Sequence, residues 1–376
     1  MATRISLMFV LALVTSSVLL VLQPRSAEGT LLKLCGLDKI YQLGDSISDT
    51  GNLVRETPVG AATVFARLPY GETFFGKPTG RCSNGLLMID YLALSAGLPF
   101  LQPYKNQGGD FRHGANFAVA GSTALPAEFL ASKNVSTVVT NSFLGVQLDW
   151  MSTHLNSTCH TATDCAEKLR NSLFMVGEIG GNDYNYALFQ GKTIEEAKAL
   201  VPDVVDAIAA TVRRVIELGA ARVIVPGNFP IGCFPIYLTG FKTDNSAAYD
   251  DKRCLKEFND FSAYHNAHLQ QAIEGLKTEY PNVAIAYGDY YNAFQWLFLH
   301  APYLGFDGMS TQKACCGYGG EYNFNLTNSC GASGVPVCPN PDRRISWDGV
   351  HPTQQAYKIM AGWLIRDVLH QLHCPA

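Results

Sequence analysis

What is scarce in these 376 residues narrows the reading first. Charged residues make up only 16%, the formal net charge is −4, and no basic run exceeds a pair such as Arg213-Arg214. A nucleic-acid binder needs a dense basic face, so that class is excluded and no electrostatic partner is implied. No internal repeat or low-complexity linker divides the chain after its first segment, and residues 28–376 are read as one domain. No Cys-x-x-Cys is present to pair with a second one or with histidines, which argues against structural zinc. The Gly-x-Ser-x-Gly turn of one large hydrolase class is also missing.

Hydrophobic residues and cysteine are plentiful by contrast. The hydrophobic share of 47% supplies a sizeable core. Residues 1–27 carry one early Arg4, an apolar and small-residue run from Ser6 to about Leu22, and a polar stretch from Gln23 to Gly29. That order predicts a secretory signal peptide cleaved between Gln23 and Gly29; the absence of a basic stop-transfer cluster argues against a stable membrane anchor. Eleven cysteines fit an oxidising compartment, and the odd number leaves at least one unpaired in a monomer. Cys315, Cys316, Cys330 and Cys338 predict a stapled surface loop, and Cys159 with Cys165 a local pair. Asn-x-Ser/Thr triplets at Asn134, Asn156 and Asn325 predict glycosylation on the same route.

Short apolar runs at Lys39–Leu43, Ala115–Ala120, Ser172–Glu178, Ala221–Pro226 and Val283–Tyr287 read as strands covered on both faces. Helical periodicity fills Ile194–Leu218, Leu255–Tyr280 and Gln354–Leu372. Alternation of this kind predicts a three-layer α/β/α domain on a mainly parallel sheet, with ligands bound beyond the carboxyl ends of the strands.

A serine becomes a useful nucleophile only when a base takes its proton and something orients that base. Ser46 follows the first strand as Gly44-Asp45-Ser46, and Ile47–Val54 is expected to begin a helix whose first N–H groups face developing negative charge. Asp348 lies three residues before His351 on a turn ahead of the last helical segment, close enough to fix one ring nitrogen. Gly121 and Asn182 each end a strand-like run and can present N–H donors at the same sheet edge. Each signal alone is matched by a plain capping or turn role.

Together, Gly44-Asp45-Ser46-Ile47, Gly121, Gly180-x-Asn182-Asp183 and Asp348-x-x-His351 resemble the four ordered blocks of the SGNH hydrolases. Ser46-x-Ser48-Asp49-Thr50-Gly51-Asn52, Pro69-Tyr70-Gly71, Gly80-Arg81-x-Ser83-Asn84-Gly85 and Val335-Pro336-Val337-Cys338 are similar to the plant GDSL esterase/lipase branch. Ile40–Asn52, Arg112–Leu125 and the surroundings of Cys315-Cys316-Gly317 are similar to an alkaloid-deacetylating member. Leu43 and Ile47 depart from the usual residues by apolar exchanges.

The resemblance implies a flavodoxin-like SGNH fold, a catalytic triad of Ser46, Asp348 and His351, and an oxyanion hole from Ser46, Gly121 and Asn182, with no cofactor and no metal. It implies a secreted or vacuolar serine carboxylic-ester hydrolase that forms an acyl-enzyme on small acyl esters of plant specialised metabolites. Transfer of the acyl group to an alcohol by the same triad is the alternative within enzymes. A catalytically silent secreted binding glycoprotein is the alternative outside them.

Three further groups carry weaker expectations. His265 and His268 are read as a solvated helix face rather than a metal pair. Tyr287, Tyr290, Tyr291, Phe294, Trp296 and Phe298 are read as core before pocket lining. Asp49 and Asn52 are read as loop hydrogen-bonding groups or substrate contacts.

Overall fold

The computed structural model describes residues 28–56 and 58–374. The expected leader, residues 1–27, lies outside them. Five parallel strands, β1 (Lys39–Leu43), β2 (Gly114–Asn116), β3 (Ser172–Val176), β4 (Arg222–Pro226) and β5 (Ala284–Gly288), form one sheet in the order β2-β1-β3-β4-β5. This is the flavodoxin-like order, and the connections reverse direction between β1 and β3. β1 pairs with β3 from Lys39↔Ser172 to Leu43↔Val176, so both strands end at the same level. Almost every strand residue is buried, because helices cover both faces.

The helices of nine residues or more are α1 (Met88–Ala96), α2 (Leu144–Thr158), α3 (Gly181–Phe189), α4 (Val201–Glu217), α5 (Lys256–Glu279), α6 (Tyr290–Leu299) and α7 (Gln354–Leu369). α2, α4 and α5 pack together on one face, while α1, α6 and α7 form the other with the 3-10 segment Glu28–Cys35. Cys35 and Cys374 are at disulfide distance and tie the first described turn to the end of the chain. Among the described residues no helix is long and apolar enough to cross a membrane.

Three expectations change. The helix expected over Ile194–Leu218 is two, Ile194–Lys198 and α4, because Pro202 lacks an N–H and fits only a first turn. The strand expected over Ala115–Ala120 is regular only as far as Asn116. Beyond it the N–H groups of Phe117 and Val119 still donate to the carbonyls of Gln42 and Gly44 at 2.7 and 3.1 Å, while the carbonyls of Asn116 and Ala118 are taken by the Asn52 amide, both at 2.8 Å. The helix expected over Ile47–Val54 is absent. Asp49 captures the N–H groups of Gly51, Asn52, Leu53 and Ala120 with its side chain, so the backbone makes one turn and a short 3-10 stretch, Leu53–Arg55. Asp49 and Asn52 are fully buried, so they clamp the turn rather than face a substrate.

Candidate active site

The site is assembled at the carboxyl ends of β1 and β3. After β1 the chain turns at Gly44, whose φ of +148° suits glycine; an added Cβ would sit 2.6 Å from Ser48 Oγ. The buried Gln147 of α2 accepts from the Gly44 N–H and donates to the Gly44 carbonyl, both at 2.8 Å. Asp45 accepts from the Ile47 N–H at 3.0 Å, and its own N–H reaches the Glu178 carbonyl at 3.0 Å. Ser46 is left at the crest, half-buried.

The other half arrives from the far end of the chain. Asp348 Oδ1 accepts from the N–H groups of Val350 and His351, closing a tight turn. Its Oδ2 meets His351 Nδ1 at 2.7 Å and the Tyr70 hydroxyl at 2.8 Å. His351 Nε2 lies 2.8 Å from Ser46 Oγ, across a separation of 305 residues. Burial pushes the Asp348 carboxyl upward, but the charge of His351 and the hydrogen bonds from its ring and backbone outweigh this and hold it below the usual range. Burial and the neighbouring Asp348 push the Tyr70 phenol well up, so it stays a donor.

Gly121 and Asn182 come to the same edge. Gly121 has φ +84°, and Val139 would be 2.6 Å from any Cβ there. Among the described residues neither the Ser46 nor the Gly121 N–H donates to a protein acceptor. Asn182, in the first turn of α3, donates to the Ser122 carbonyl at 2.9 Å and more weakly to Asp45 Oδ2 at 3.3 Å. Asp183 is buried and anchors α3 by accepting from the Ala124 and Leu125 N–H groups. A cavity of ≈ 60 Å³ opens beside Ser46, with Phe229, Phe234 and Ile236 among its apolar walls.

All five residues singled out from the sequence therefore meet at one sheet edge. Tyr70, Gln147 and Glu178 escaped notice as parts of it. The Pro69-Tyr70-Gly71 run was the only signal for the first, and a lone glutamine on α2 gave none for the second. His265 corrects its expectation: it is buried and pairs with the Tyr184 hydroxyl at 2.8 Å, while His268 is exposed. Tyr290, Phe294 and Phe298 are buried, and Phe294 packs edge-on against Phe234 of the cavity wall.

Cysteine placement agrees with the sequence. Cys159–Cys165, Cys315–Cys338 and Cys316–Cys330 are at disulfide distance, as are Cys233–Cys254, and Cys82 is the free, buried one among the described residues. Asn134 and Asn156 are exposed and Asn325 is partly so.

Comparison with known proteins places this geometry. A model of the GDSL-like lipase/acylhydrolase family matches residues 40–364. Acetylajmalan esterase of Rauvolfia serpentina is 49% identical over 341 residues, covering 91% of this chain and 88% of its own. A second acetylajmalan esterase from the same plant is 48% identical, covering 91% and 89%. A GDSL esterase/lipase of Arabidopsis thaliana is 46% identical, covering 90% and 92%. With a matched family model across most of its length and esterase relatives near half identity, the chain belongs to the GDSL-like lipase/acylhydrolase family and is an ester hydrolase of the GDSL type.

Proposed function

We propose that the protein is a secreted serine esterase that cleaves small acyl esters of plant specialised metabolites through an acyl-enzyme. The observation that carries this reading is the unbroken series from Ser46 Oγ to His351 Nε2 at 2.8 Å and from His351 Nδ1 to Asp348 at 2.7 Å. Ser46 Oγ attacks the ester carbonyl while its proton passes to His351 Nε2. The carbonyl oxygen becomes an oxyanion, met by the N–H groups of Ser46 and Gly121 and by the Asn182 amide once it gives up its weak bond to Asp45. Collapse breaks the ester C–O bond, and His351 returns the proton to the leaving alcohol. Water then repeats the sequence in reverse roles, releasing the carboxylic acid and restoring Ser46. Asp348 fixes the tautomer throughout and Tyr70 holds Asp348.

Substrate class is supported by the compact cavity and by relatives named for an acetylated metabolite. Secretion is supported by the leader sequence, the sequons and five cysteine pairs at disulfide distance. The test is kcat/KM of the purified protein for acetylated or aromatic-acylated metabolites against emulsified triolein, with a second alcohol present to detect transfer. Faster cleavage of the small esters is expected, and Asn182→Ala should lower turnover by about 10²- to 10³-fold. Faster triolein cleavage overturns the substrate class, and dominant transfer replaces hydrolase by acyltransferase.

A further inference from the structure

Of the donors proposed for the oxyanion, the Gly121 N–H has the least of its own to aim it. Gly121 carries no side chain, takes a φ of +84°, and its N–H has no protein acceptor among the described residues. Its direction is set by what holds the turn on either side. The Ala120 N–H donates to Asp49 at 2.9 Å, and the Ser122 N–H donates to the Val119 carbonyl at 3.0 Å. The carbonyls of Gly121 and Ser122 both turn to α3, where the Tyr186 hydroxyl donates to the first at 2.8 Å and the Asn182 amide to the second at 2.9 Å. Among the described residues Tyr186 is the only protein donor to the Gly121 carbonyl.

Asn182 and Tyr186 lie four residues apart, so they share one face of α3. Space closes around Gly121 as well: an added Cβ would sit 2.6 Å from Val139 and 3.2 Å from the Tyr186 hydroxyl oxygen. Burial, with the charges of Asp45 and Asp183 behind it, pushes the Tyr186 phenol up, so the hydroxyl keeps its proton and stays a donor.

We propose that Tyr186 is a positioning residue for the oxyanion hole, holding the Gly121 carbonyl so that the Gly121 N–H stays aimed at the point the Asn182 amide also serves. One helix face then carries the first of these donors and aims the second, which fixes the spacing between them. Such donors act because they are in place before charge develops, and a glycine free to turn would lose part of that advantage at every turnover. Tyr186 works through Gly121 rather than on the substrate. The inference rests on the reading of Gly121 and Asn182 as oxyanion donors and extends it to what holds them.

The test is Tyr186→Phe in the mature glycoprotein, which deletes the hydroxyl and keeps the ring. Two inhibitors of the same shape separate positioning from general damage: phenethyl trifluoromethyl ketone and the secondary alcohol made from it. Ser46 Oγ adds to the ketone carbonyl while its proton passes to His351, leaving an oxyanion in the hole; the alcohol binds without one. In Tyr186→Phe, kcat/KM for 4-nitrophenyl acetate should fall by about five- to tenfold and the inhibition constant of the ketone should rise by a similar factor, the range of one hydrogen bond. That of the alcohol should stay within about twofold. An unchanged kcat/KM, or equal weakening of ketone and alcohol, overturns the proposal. Should Tyr186→Phe not fold, Tyr186→Leu is scored by the same pair of inhibitors. Full affinity for the ketone in Asn182→Ala would strike the oxyanion reading and the proposal with it, whereas hydrolysis persisting in Ser46→Ala would strike the esterase reading itself.

Discussion

The two halves of the site are held by different means. The Ser46 turn hangs from the sheet by hydrogen bonds: Gln147 grips both polar groups of Gly44, while Asp49 and Asn52 bind backbone across to the strand beside it. The His351 turn has no strand beneath it. The N–H groups of Cys315 and Cys316 donate to the carbonyls of Ser346 and Trp347, and both cysteines are at disulfide distance from partners in the same loop. Tyr70 packs edge-on against Trp347 while bonding Asp348, completing an aromatic and sulfur-rich support. A sheet edge already offers ordered backbone, so polar side chains suffice there. An excursion far from the sheet needs covalent ties to reach the same precision.

The largest effect tests whether the halves act as one unit. Ser46→Ala and His351→Ala should each lower kcat by about 10⁴-fold or more, and the double variant should be no worse than either alone. Additive losses would separate the halves. Next come the supports themselves. Removing Cys315 and Cys338 together, which close a loop across 23 residues, should cost about 3 kcal/mol by loop entropy. Reductant should reproduce part of that loss in the wild type. Gln147→Ala leaves the buried Gly44 N–H without a partner and its carbonyl with the Val119 N–H alone, and should cost about 2 kcal/mol, measured by denaturant unfolding. A loss from Gln147→Ala that exceeds the cysteine variant would reverse the comparison. Tyr70→Phe removes one donor to Asp348 and should lower kcat by only about three- to tenfold with little change in KM.

The smallest effect concerns pH. Burial pushes the Asp45 carboxyl to about 7 despite opposing bonds and charges, and pushes Glu178 up as well. The folded protein thus keeps protons that the unfolded chain releases. This contribution to stability is fully present below the ordinary carboxylate range and is lost as pH rises through about 7. The melting temperature should fall by a few degrees between about pH 5 and pH 8, and Glu178→Gln should flatten that slope by scanning calorimetry. An unchanged slope would remove Glu178 from the account of the Ser46 half.

Local patterns made much of this legible. Four strands were visible as apolar runs and the fifth, β2, overlapped its run only at Ala115 and Asn116. Each of the four blocks sits at a strand end or turn, and in the first and last of them the carboxylates of Asp45 and Asp348 bond within three residues. Asp348 and His351 are an instance, only three apart. What escaped depends on contacts that no local pattern encodes. Tyr70 meets Asp348 across 278 positions and Gln147 meets Gly44 across 103. The missing helix after Ser46 failed for a related reason, since the Asp49 carboxylate outcompetes the helical backbone for its own N–H groups, and one of its bonds goes to Ala120, 71 positions away.

The central claim is that Ser46 is the activated nucleophile. It is tested most directly by treating the folded protein with a fluorophosphonate and locating the adduct by peptide mass spectrometry. A single adduct on Ser46, formed in parallel with loss of esterase activity and absent from His351→Ala, is the predicted result. An adduct on another residue, or full esterase activity with Ser46 labelled, would contradict it.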